Sequence, residues 1–124
     1  MKVLLSIKPE YAEKILQGEK KYEFRRSIFK SSVVEKIIIY ASSPVRKIIG
    51  EFDIDCILSL DIGDLWEETQ HHSGIEKEFY DSYFQGKEIG YAIKVKKATR
   101  YPEYLELSDY NVQYAPQSFI YLSG

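Results

Sequence analysis

Between Gly18 and Arg25 the sequence reads Gly18-Glu19-Lys20-Lys21-Tyr22-Glu23-Phe24-Arg25, with two lysines, two glutamates and an arginine in eight residues. These side chains can do several kinds of chemistry. Arginine presents a planar fork to a phosphate or a base edge, and glutamate accepts from an exocyclic amine or takes a proton as a base. Lysine supplies a compact charge, or a base where its pKa is depressed. On a strand, Glu23 and Arg25 share one face, with Tyr22 and Phe24 on the other. Strict alternation would set Lys20 opposite Glu23, so joint action requires the preceding turn to re-aim it. The same composition also builds a solvated surface cluster of ion pairs. What separates the two is whether Lys20, Glu23, Arg25, Tyr40 and Ser42 converge on one concave surface.

Tyr40, Ser42 and Ser43 enter that list because they end the next apolar strand, where side chains often line a cleft. A tyrosine can stack on a base and a hydroxyl can bond one, although a core tyrosine and a serine-proline turn fit the same residues. Arg46 and Lys47 extend a basic first half and could contact phosphates. The adjacent His71 and His72 cannot both be aimed at one metal from a helix or a strand, and with Cys56 as the single cysteine no metal site is expected. Cys56 reads as a buried small apolar group, and Trp66 as the residue packing its helix onto the sheet. No phosphate loop, dinucleotide fingerprint or nucleophile elbow occurs, and no cofactor is expected.

The elements that must position these residues follow from periodicity. Residues 2–7 make a short apolar strand, expected to be central. Pro9 suits the first turn of a helix whose stripe is Tyr11, Ile15 and Leu16 and whose stop is Gly18. Residues 22–26 form a strand, as do 34–40, and Ser42-Ser43-Pro44 turns the chain. A long strand region covers 45–60, bent near Gly50. A helix is expected over 61–70 with Asp61 or Asp64 as N-cap. Ser73 and Glu76 have capping-box spacing before a second helix carrying Ile75, Phe79 and Tyr83 and stopping at Gly86. Residues 88–100 alternate, with Ile89, Tyr91, Ile93 and Val95 on one face. Weak strands are expected near 104–107 and 118–122. Six strands with two or three helices, not regularly interleaved, imply an α+β fold: a mixed or antiparallel β-barrel flanked by helices, in a single domain over 1–124.

Charge is unevenly distributed. Residues 1–50 hold 11 Lys/Arg against 5 Asp/Glu, whereas residues 51–92 hold 2 against 11. A basic first half is compatible with nucleic acid, and the acidic 51–92 region could serve a protein partner. No apolar run approaches the ~20 residues of a membrane span, and the opening Met1-Lys2-Val3-Leu4-Leu5-Ser6 is too short for a signal peptide. No membrane association is expected, and the chain reads as cytoplasmic.

Gly18, Lys20, Glu23 and Arg25 fit the pattern GxKxxExR, set between a strand-helix unit and a strand ending in Tyr40-Ala41-Ser42-Ser43-Pro44. With Ile48-Ile49-Gly50-Glu51-Phe52 and the closing Tyr114-Ala115-Pro116-Gln117-Ser118-Phe119, nearly the whole chain resembles the ASCH domains of the PUA-like superfamily. The resemblance implies a PUA-like β-barrel with the motif lining a cleft beside it. Members of that family are held to bind RNA or modified nucleosides, and many are regarded as transcriptional regulators. It therefore implies a module binding RNA or a modified nucleoside or nucleotide through Lys20, Arg25, Tyr40 and Ser42. One branch hydrolyses the amide of acetylcytidine with a lysine, a threonine and a glutamate, and other members are described as ribonucleases. Here that lysine falls on Lys20 and the threonine on Glu23, and only Glu76 lies near the glutamate position, so the hydrolytic set is not intact. The alternative is a hydrolase of a modified nucleoside, or a ribonuclease, with Lys20 and Glu23 as the catalytic pair.

Overall fold

The most apolar segments of the chain, β1 (Lys2–Ile7) and β3 (Lys36–Ala41), lie side by side as a parallel pair, and both of their faces are covered. Val3, Leu5, Ile7, Ile37 and Ile39 enter one core cluster, which α1 (Pro9–Leu16) covers with Ala12 and Ile15. Leu4, Ile38 and Tyr40 enter a second cluster on the opposite face. That double burial explains why these strands read as continuous apolar runs rather than alternating ones. The structure is a computed structural model describing residues 1–122.

Around this pair the sheet runs in the order β2-β5-β4-β3-β1-β6, with β2 (Tyr22–Arg25), β4 (Lys47–Asp61), β5 (Ile89–Leu105) and β6 (Phe119–Leu122). All pairings except β1 with β3 are antiparallel. The α+β expectation, six strands with three helices beside them, is borne out. The hydrogen-bonded ladder is not closed, because the edge strands β2 and β6 do not pair with each other. Side chains bridge that gap instead. Arg25 on β2 donates to the Ser6 carbonyl on β1 and to Ser118 Oγ, next to β6.

The remaining helices, α2 (Ile62–Thr69) and α3 (Lys77–Tyr83), cover a third cluster of Phe24, Leu65, Tyr80, Phe84 and Ala92. Asp61 is the N-cap of α2, accepting from the Gly63 N–H. Trp66 packs 4.8 Å from the Tyr80 ring, so it joins α2 to α3 as well as to the sheet. Among the described residues no helix is long and apolar enough to cross a membrane.

Three sequence expectations need correction. Cys56 is exposed, not buried. Register shifts at Asp53/Ile54 and Ile54/Cys56 interrupt the ladder. Beyond Asp53 the strand pairs with β5 alone among the described residues, so Asp55 and Cys56 lie exposed at a bulged edge. Ser73 and Glu76 form no capping box. Ser73 Oγ instead donates to the Ile75 carbonyl, and α3 starts one residue after Glu76 without a side-chain cap. The proposed alternation of β5 also fails at Ile89, which is exposed, while Ala92 and Ile93 are buried on opposite faces. β5 is sandwiched there between two clusters, so its side chains still alternate in direction but both faces are buried.

Candidate functional site

α1 ends in a complete Schellman motif. The Gly18 N–H bonds the Ile15 carbonyl, the Glu19 N–H bonds the Lys14 carbonyl, and Gly18 has φ +84°. The chain then turns inward. The Lys20 N–H also bonds the Lys14 carbonyl, and the next N–H, of Lys21, bonds the His72 carbonyl. This turn is what re-aims Lys20, which is only 2% exposed and lies in the same cleft as Glu23.

That cleft is a cavity of about 550 Å³, and all five residues singled out from the sequence, Lys20, Glu23, Arg25, Tyr40 and Ser42, line it. Its walls are largely aromatic. Tyr11 and Phe79 approach to 5.5 Å between ring centres, and Phe79 stacks on Tyr83 at 6.2 Å. Lys8 and Arg46 supply cations at the lining, and Ala115-Pro116-Gln117 close one side, held where Ser6 Oγ donates to the Pro116 carbonyl.

Lys20 is the buried charge of the site. Its Nζ donates to the Ser73 carbonyl at 2.6 Å and stands over the rings of Phe24 at 4.8 Å and Tyr11 at 5.4 Å. No carboxylate pairs with it within 4 Å among the described residues. Burial pulls its pKa down to about 8, against the opposing pull of the Glu23 charge, and Lys14 adds to the lowering. The ammonium is thus mostly charged at neutral pH but poorly solvated, which favours an anionic or carbonyl ligand.

Glu23 is 6% exposed and forms an ion pair with Arg25 through Oε2 at 3.1 Å. Its other oxygen, Oε1, takes no hydrogen bond among the described residues, yet no fully buried side-chain oxygen there lacks a partner. Oε1 therefore reaches the solvent of the cleft. The Tyr40 hydroxyl is likewise free of protein partners among the described residues and reaches the cavity, although its ring belongs to the core. Arg25 is more committed: three hydrogen bonds hold it to Glu23, Ser6 and Ser118.

Gly74 lies outside the cleft lining but packs against the stem of Lys20. It has φ +70°, and a Cβ there would lie 2.6 Å from both Cβ and Cγ of Lys20. The Gly74 carbonyl accepts from Lys14 Nζ, so two lysines grip the Ser73-Gly74 segment. Gly74→Ala is expected to destabilise the fold by about 1–3 kcal/mol, from left-handed backbone strain plus displacement of a packed stem. Urea denaturation measures it, and a loss below a few tenths would show that Lys20 is free to move aside.

The sequence missed much of this wall. Tyr11, Phe79 and Tyr83 read as packing stripes, which they partly are, and nothing in their spacing separates a core aromatic from one facing a cleft. Phe24 was placed opposite Glu23, and its ring packs in the third cluster while its edge also lines the cavity. Glu76, the nearest acid to the expected glutamate position, is exposed and lines a neighbouring groove rather than the cleft. His71 and His72 are exposed, and no group of three metal-ligating side chains occurs among the described residues.

Comparison with known proteins places this chain in a family. The ASCH protein of Zymomonas mobilis has a crystal structure that matches with a TM-score of 0.89 at 29% identity, covering 98% of this chain and 87% of that one. A serine-to-alanine and a tyrosine-to-phenylalanine mutant of that protein each match with a TM-score of 0.90 at 27% identity. The ASCH domain-containing ribonuclease of Zymomonas mobilis subsp. mobilis is 34% identical over 85 residues, 68% of this chain and 57% of that protein. The large ribosomal subunit protein uL22 of Ureaplasma parvum serovar 3 is 30% identical over 120 residues, 97% of this chain. The chain spans 39% of the length of the uL22 protein and 57% of that of the ribonuclease. The ASCH domain description matches residues 5–107, and the chain belongs to the ASCH domain family.

Proposed function

We propose that this chain binds RNA by taking one nucleotide into the cleft. The observation that carries this is a cavity of nucleotide size with aromatic walls, a desolvated ammonium and a carboxylate oxygen left free of protein partners. Aromatic faces stack a base regardless of its identity. Lys20 donates to a base carbonyl or a phosphate oxygen, Glu23 Oε1 accepts from a base N–H, and Tyr40 and Ser42 bond the ribose or base edge. Lys8 and Arg46 meet the phosphates. Arg25 acts mainly by orienting Glu23.

The similarity to a ribonuclease supports RNA as the ligand class. It also favours a second reading, in which the bound strand is cleaved. In that case Glu23 takes the proton of the ribose 2′-hydroxyl as it attacks the adjoining phosphate, and Lys20 stabilises the charge that develops there. The bond from phosphorus to the 5′-oxygen of the next nucleotide breaks, that oxygen leaves as a hydroxyl after taking a proton from water, and a 2′,3′-cyclic phosphate remains. Hydrolysis of acetylcytidine is less well supported, since Glu23 replaces the threonine and Glu76 lies outside the cleft.

The test is fluorescence anisotropy with a labelled single-stranded RNA hexamer, followed by gel analysis of the same RNA for products. Binding should weaken as salt rises, because neutralised phosphates release counterions. Glu23→Gln should lower affinity about tenfold or, if cleavage occurs, abolish the products while leaving binding. Binding that neither RNA nor a nucleotide saturates would overturn the proposal.

A further inference from the structure

Beside the cleft, and sharing Arg46 with it, lies a second cavity of about 670 Å³, whose walls include Glu106, Ser108, Asn111 and Gln113. Two features join the two spaces. Arg46 lines both of them. In the chain, Gln113 lines the second cavity and Ala115 lines the cleft, and Tyr114 between them is 81% exposed.

Neither junction residue is explained by the fold. The Arg46 guanidinium has no ion-pair or hydrogen-bond partner among the described residues, and its backbone has φ +55°, a conformation unfavourable for a residue with a Cβ. Backbone bonds to the Ser42 carbonyl from the N–H groups of Val45 and Arg46 hold it there. Tyr114 presents a large aromatic surface to solvent with no core contact, unlike Tyr101 and Tyr110 nearby.

We propose that the second cavity is a subsite for the nucleotide adjoining the one in the cleft, so that the ligand is a single-stranded RNA of at least two nucleotides rather than a free nucleoside. This rests on the proposed reading of the cleft. Arg46 takes the phosphodiester that joins the two nucleotides, at the point where both cavities meet it. Tyr114 stacks on the second base. Ser108, Asn111 and Gln113 offer donors and acceptors to its edge or to the ribose, without a net charge that would repel the strand. The lining also holds Glu106, whose charge Lys47 takes up, and the apolar Leu107 and Val112, so Arg46 is the one lining charge without a partner among the described residues. A single free cation beside polar and apolar groups suits one phosphodiester with its base and ribose better than a wholly apolar partner.

The experiment is competition against the labelled RNA hexamer by nucleoside monophosphates and by dinucleotides built from them. A dinucleotide is expected to compete about tenfold better than either component, and Tyr114→Ala to cut dinucleotide affinity about tenfold. Tyr114→Phe should restore it, and neither variant should change monophosphate affinity. Equal competition by dinucleotide and monophosphate, or an unaffected Tyr114→Ala, overturns the subsite while leaving the cleft reading intact. Failure of every nucleotide to compete overturns both.

Discussion

Lys20→Met is expected to make the free protein more stable at pH 7 while cutting its affinity for RNA at least about tenfold. The two effects share a cause. Lys20 is buried with one hydrogen bond and two aromatic faces but no paired carboxylate, and its pKa falls from 10.5 to about 8. At 1.36 kcal/mol per unit, holding that charge costs about 3 kcal/mol relative to the unfolded chain. Methionine keeps an unbranched apolar stem against Tyr11, Phe24 and Gly74 and removes the charge. Losing the bond to the Ser73 carbonyl returns about 1 kcal/mol of the gain, so a net rise of about 1–2 kcal/mol is expected. Affinity falls because a charge-assisted hydrogen bond to a ligand contributes about 1.5–3 kcal/mol. Urea denaturation and anisotropy titration of the same variant check both signs. A Lys20→Met protein that is less stable, or that binds RNA as the parent does, would remove Lys20 from its assigned role.

The pH dependence has a definite sign. Between about pH 8 and pH 10.5 the unfolded chain still carries the Lys20 proton that the folded protein has released, so this group makes stability rise with pH. Below pH 8 both states hold the proton, so the slope vanishes and the full cost of the buried charge remains. The buried phenols act oppositely at higher pH. Tyr80, for example, is pushed up to about 12 by desolvation, so above about pH 10 the folded state holds the extra proton and stability falls. The difference between the parent and Lys20→Met isolates the lysine, and it should shift by roughly 3 kcal/mol in favour of the parent across pH 8–10.5, enough to reverse its sign. RNA affinity should move the other way, falling as Lys20 loses its charge above pH 8.

The parts of the fold legible in the sequence are those where one local signal suffices. Pro9 and Gly18 fix the ends of α1, Asp61 caps α2, and the apolar runs of β1 and β3 mark strands buried on both faces. The charged motif was legible for a different reason, the crowding of five opposite charges between a helix stop and a strand in the pattern GxKxxExR, whereas the burial of Lys20 and Glu23 was not readable there. Illegible features depend on partners distant in the chain. Whether Cys56 meets solvent depends on bulges in β4 against β5, and no residue near it announces them. The aromatic wall depends on α1, β2 and α3 meeting, so Tyr11, Phe24 and Phe79 each look like ordinary core residues alone. The role of Arg25 is the clearest such case, since two of its three acceptors lie 19 and 93 residues away.

Arg25→Ala is accordingly expected to destabilise the protein by about 3–5 kcal/mol, an effect larger than any direct loss of ligand contact. The guanidinium holds together a sheet whose edge strands do not pair, reaching from β2 to the Ser6 carbonyl and Ser118 Oγ while neutralising Glu23. Removing it leaves Glu23 nine-tenths buried with no ion-pair partner within 4 Å among the described residues, Lys20 acting on it only from a longer range, and breaking one half of a buried pair is strongly destabilising. Arg25→Lys should recover little, because a single ammonium cannot meet three acceptors that a planar fork spans. Glu23→Gln combined with Arg25→Met should recover about 1–3 kcal/mol of the loss, since neither charge is then stranded. Chemical denaturation of the parent, Glu23→Gln, Arg25→Met and the double variant gives the cycle directly. A loss below about 1 kcal/mol in Arg25→Ala would mean that the edges of the sheet hold without the bridge, and Arg25 would then be free to act as a phosphate ligand in its own right.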